Sequence, residues 1–148
     1  MSELSYTHKY RSFILCVTGQ LFAISFYSGF VTLSEKNVHE CILGNSLLLV
    51  YLCCNLLWSN PIKYGIVHRI DGVIAKVSIV YFITYTITYK KMDCITKYSY
   101  YMVVFGIITN AYLSNYYSNK EWCSNAHIYY HALLHIFCFI GTFYAFLP

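Results

Sequence analysis

Three histidines stand four residues apart in an apolar segment near the end of the chain: His127, His131 and His135 in His127-Ile-Tyr-Tyr-His131-Ala-Leu-Leu-His135. Residues four apart share a helix face. Ionisable side chains inside a membrane span are costly, and by default they mark a functional site. A second pair, His68 and Asp71, is spaced i, i+3, with about 4.5 Å of helical rise between them. Neutral imidazole is the commonest protein metal ligand. A catalytic zinc takes three protein ligands and keeps a position for water, whose pKa it lowers to about 7. On that chemistry His68, His131 and His135 are the candidate zinc ligands. Asp71 is the candidate catalytic base, placed to hold the water or take its proton. His127 lies nearer the interface, outside the coordination sphere. The same residues have other uses: His68 and Asp71 as an ordinary helix start at headgroup level, a histidine pair as haem ligands, or the histidines as a proton relay.

The elements that must position these residues follow from composition. Hydrophobic residues make up 58% of the 148 and charged residues 11%, against roughly 45–50% and 25% in soluble domains. So few charges cannot cover a water-facing surface. An integral, multi-pass membrane protein is expected. The net charge of +4 is scattered, and no lysine or arginine cluster points to nucleic acid. The seven cysteines lie mostly in apolar runs without zinc-ribbon or redox spacing, and read as small buried hydrophobes.

A membrane-spanning helix needs roughly 20 apolar residues. The apolar runs predict five: 13–33, 41–58, Ile66–Tyr89, 98–117 and 126–147. Polar breaks separate them, and Pro61 stops the second because its ring cannot continue the helical hydrogen-bond ladder. Barrel strands would alternate polar and apolar over about ten residues; these runs are apolar all round and about twice as long. The expected fold is an all-α bundle of about five transmembrane helices in a single domain. Lysine and arginine divide almost evenly between the two sides, so positive charge sets no orientation. The span count does set one relation. The third and fifth spans start at the same membrane face, which brings His68 and Asp71 level with His127, His131 and His135.

The segment His131-Ala-Leu-Leu-His135-Ile-Phe-Cys-Phe-Ile-Gly141 resembles the last-span motif of the CREST superfamily, which includes alkaline ceramidases and adiponectin/progestin receptors. In that group a His-x-x-x-His opens the final helix and an aspartate sits in an earlier span, where Asp71 of His68-Arg69-Ile70-Asp71-Gly72 matches. The resemblance implies an intramembrane zinc site and, in the ceramidase branch, hydrolysis of a lipid amide. The group's Ser-x-x-x-His has its nearest counterpart in Cys54-Asn55-Leu56-Leu57-Trp58, which holds neither residue. His68 would then be the third ligand.

Three functions follow. The first is a zinc-dependent hydrolase whose lipid substrate enters from the bilayer. The second is a non-enzymatic membrane protein that packs with partners. The third is an ion or proton pathway through the same histidines. Membrane lipids are the expected partners in each.

Overall fold

The polar breaks separate five long helices in the computed structural model, which describes residues 3–146 and the side chains from Tyr10 onward. They are α1 (Glu3–Ser25, continued by a wider π-helical turn, Phe26–Val31), α2 (Val38–Ser59), α3 (Ile66–Tyr89), α4 (Cys94–Lys120) and α5 (Asn125–Ala145). No strand occurs among the described residues. The protein is an all-α membrane bundle. Four segments are long and apolar enough to cross a bilayer: Tyr10–Val31, α2, α3 and α5. The remaining helix, α4, covers the expected 98–117 run and has the length to span, but asparagines, serines and tyrosines dilute its apolarity. Large apolar side chains such as Phe13, Val17, Leu56, Val77, Phe105 and Ile108 point outward, as a lipid solvent permits.

Capping explains the boundaries. The α2 helix starts three residues before the expected 41–58 run, because Asn37 accepts the Glu40 N–H while the Glu40 carboxylate accepts the Asn37 N–H. That reciprocal box satisfies two backbone donors of the first turn. Asp93 accepts the Ile95 N–H at the start of α4. Ser124 caps α5 by accepting the His127 N–H. The expected fifth span closes at Ala145, and position 147 lies outside the described residues.

Side by side, the helices run in the order α3, α2, α1, α5, α4, with α3 also touching α5. The two ends of that series, α3 and α4, meet sparsely among the described residues, with Tyr100 of α4 hydrogen-bonded to Thr86 of α3. Two core clusters stack along the bundle. One gathers Leu15, Cys54, Leu57, Trp58, Ile128 and Ala132. The other gathers Phe22, Leu43, Leu47, Val50, Tyr85 and Phe146. Close helix approach depends on small residues: a Cβ on Gly44 would come within 2.5 Å of the Phe30 ring, and one on Gly106 within 2.5 Å of Phe137.

At the end of α3 remote from His68, Lys90 forms an ion pair of 2.9 Å with Glu40 of α2. Tyr85 donates to the same carboxylate at 3.2 Å. Both charged side chains are almost wholly buried, and removing one partner of such a pair costs about 3–5 kcal/mol. Lys90→Met is expected to lower stability by about 3 kcal/mol, read as an earlier unfolding transition in detergent.

Candidate functional site

The gap between α3 and α4 leads into a cavity of about 490 Å³, walled by α2, α3, α4 and α5. That size lies within the range of about 300–1,000 Å³ typical of ligand pockets. His68, Asp71, His127, His131 and His135 all line it. The opposition of the α3 and α5 starts, expected from the number of spans, therefore holds, and these residues surround one space.

Each histidine is fixed by a different partner. His135, on the inner face of α5, pairs through Nδ1 with the Thr18 hydroxyl of α1 at 2.8 Å. The Thr18 hydroxyl also reaches the Leu15 carbonyl at 3.4 Å; the tautomer of the His135 ring sets which group donates in the Thr18 pair and whether Nε2 keeps a lone pair. That nitrogen lies 3.9 Å from the Cys54 thiol. His131 pairs through Nδ1 with the Ser114 hydroxyl of α4 at 2.9 Å. Its ring centroid is 4.9 Å from that of His135 and 4.9 Å from that of Trp58, edge to face in both cases.

His68 and His127 share a motif that the sequence pattern did not reveal. Tyr64 and Cys123, each four residues upstream, adopt positive φ of 62° and 58°. Each donates its backbone N–H to the Nδ1 of its histidine at 3.1 Å. With Nδ1 accepting, the neutral ring carries its proton on Nε2. Trp122 stands between the two rings, 5.0 Å from His68 and 4.9 Å from His127. The loop before α3 is tied to the end of α4 and to the loop before α5: Lys63 donates to the Ser118 carbonyl at 2.6 Å and the Trp122 indole N–H to the Pro61 carbonyl at 3.1 Å. They close the headgroup-side end of the cavity. Burial holds the nearby Cys123 thiol in its protonated form, with a pKa pushed up to about 11.

The expected zinc ligands can now be tested against this geometry. His131 and His135 are adjacent, but His68 packs against Trp122 and has its proton on Nε2, where a metal would need a lone pair. Among the described residues no three His, Cys, Asp or Glu side chains are grouped to hold a metal ion. Asp71 makes no ion pair or hydrogen bond among the described residues, and its carboxylate is left to whatever enters the cavity.

The wall is graded from end to end. Polar groups gather where α3 and α5 begin and α4 ends: His68, Asp71, Ser114, Ser118, His127 and His131. Beyond them the lining is mainly apolar, with Leu47, Val50, Phe82, Ile83 and Ile107, and includes the hydroxyls of Ser78, Tyr100 and Thr142. His68 and Phe82 lie 14 residues apart on α3, or about 21 Å along the axis. Arg69, Val73 and Lys76 of α3 and Asn115 of α4 are at once part of the wall and exposed, so the cavity opens sideways between these helices. Thr18, Cys54, Trp58, Ser114 and Trp122 were not among the residues singled out from sequence. Only Cys54 and Trp58 carried a signal, as the counterparts of a known motif. In comparisons with known proteins the chain matches no family model, no curated protein and no solved structure.

Proposed function

We propose that the protein takes the chain of one membrane amphiphile into the cavity, with the lipid's polar group at the opening near the starts of α3 and α5. The observation that carries this reading is the graded wall beside a gap between two membrane-embedded helices. The wall from His68 to Phe82, about 21 Å long, suits an amphiphile with a long acyl chain, its polar end where a headgroup would sit. Entry from the bilayer needs no passage through water, because the stitched loops cover the headgroup-side end. The test is photo-crosslinking in nanodiscs with a fatty acid bearing a diazirine near the end of its chain. Labelling is expected on Phe82, Ile83 and Ile107; labels confined to the outer faces of the helices would refute it.

A second reading adds reaction chemistry: zinc-dependent hydrolysis of a lipid amide, as the resemblance to the ceramidase-like group implies. Its support is the His131–His135 pair at 4.9 Å on the wall that also carries Asp71. Trp58 packs on His131 where that group's motif would supply another imidazole, so a third ligand would have to come from a rearranged His68 or Cys54. Metal analysis of the purified protein separates the readings. One zinc per chain, lost in both His131→Ala and His135→Ala, supports the hydrolase; its absence leaves lipid binding alone.

A further inference from the structure

The rim of the opening carries two cations that no protein group neutralises. Arg69 and Lys76 both line the cavity and are exposed. Neither side chain makes an ion pair or hydrogen bond among the described residues. Lys76 lies ten residues into α3, about 15 Å along its axis, which is about half of a 30 Å hydrocarbon core. An unpaired ammonium at such depth is expensive and asks for a counter-charge. Helical geometry separates it from Asp71. At about 100° per residue, Arg69 and Lys76 fall within about 20° of one another, while Asp71 and Ser78 fall on nearly the opposite side. The α3 helix therefore presents a cationic edge to the opening and an acidic edge to the far wall. Asn115 of α4 adds a neutral amide to the rim.

We propose that this edge selects an amphiphile with an oxyanion headgroup, a carboxylate or phosphate monoester, held by Arg69 and Lys76 while its chain runs into the cavity. The proposal rests on the lipid-binding reading and names its ligand class. Arg69 presents a planar fork suited to carboxylate or phosphate, and Lys76 a point charge. His68 contributes an Nε2–H donor on the same wall. Asp71 opposes an anion, which keeps the headgroup at the rim and the inner wall for the chain.

The test is displacement of a fluorescent fatty-chain probe from the full-length protein in zwitterionic nanodiscs, using oleate, oleoyl lysophosphatidate, monoolein and oleylamine. The two anions are expected to compete about tenfold better than monoolein, the scale of one charge-assisted hydrogen bond. Their ranking against each other tells carboxylate from phosphate. Arg69→Gln with Lys76→Gln is expected to erase the preference while leaving monoolein within about twofold. Lys76→Arg, which keeps the charge, is expected to retain it, and serves if the double variant does not fold. Equal competition by monoolein and the anions, a preference that survives the double variant, or stronger competition by oleylamine would each overturn the headgroup assignment alone. Failure of all four amphiphiles to displace the probe would instead overturn lipid binding in the cavity.

Discussion

Gly72→Trp is expected to abolish amphiphile binding, by at least a hundredfold, while leaving the bundle as stable as the parent. Gly72 sits in α3 on the cavity wall, and a Cβ built there meets nothing within 4 Å. The backbone conformation is helical, so any residue fits it. Glycine inside a helix is about 1 kcal/mol less favourable than alanine, which means that a substitution here removes a helix penalty as well as adding bulk. An indole occupies much of the space a chain would need, and its N–H finds polar company among His68 and Asp71. Fluorescence titration in nanodiscs reads the binding, and thermal unfolding in detergent reads the stability. Loss of both together would show that the space is needed for folding and not for a ligand.

His135→Ala is expected to lower stability by about 3 kcal/mol, as much as Lys90→Met. His135 is buried, and its ring bridges three helices: Nδ1 to Thr18 of α1, Nε2 to Cys54 of α2, with its own backbone in α5. Its ring also meets Phe22 edge to face at 5.2 Å. Truncation leaves the Thr18 hydroxyl without its side-chain partner and opens a void between the helices. The lost hydrogen bond accounts for about 1 kcal/mol and the lost packing with its void for about 2 kcal/mol. By contrast, Asp71→Asn is expected to leave the unfolding transition unchanged, since Asp71 has no protein partner to lose. A stable His135→Ala protein would mean that the ring is not packed as described.

Much of this arrangement was legible in the chain. Length and apolarity marked the helices, and the parity of the spans placed His68 and Asp71 opposite His131 and His135 before any packing was known. Local hydrogen-bond chemistry refined the boundaries: Asn37 and Glu40 show the capping box in their spacing and moved the start of α2 outward. Helix rotation was not legible. Whether His131 meets Ser114 and Trp58, or His135 meets Thr18 and Cys54, depends on how the helices approach and turn, as where Gly19 lies against Cys54 and Gly106 against Phe137, which periodicity does not encode when helices are apolar on every side. The hydrogen bonding of His68 was hidden for the same kind of reason. A backbone N–H from Tyr64, in a loop conformation that composition does not disclose, claims the nitrogen that decides which tautomer the ring adopts. The separation of α3 from α4 that creates the cavity also follows from packing around the whole ring of helices, and no single segment signals it.

The deeper question is occupancy, and native mass spectrometry of the protein ejected from lipid nanodiscs answers it most directly. One lipid-sized adduct per chain is predicted, persisting at collision energies that strip surface lipids and missing from Gly72→Trp. A bare chain under the same conditions, or an adduct that Gly72→Trp retains, would contradict a lipid seated between α3 and α4.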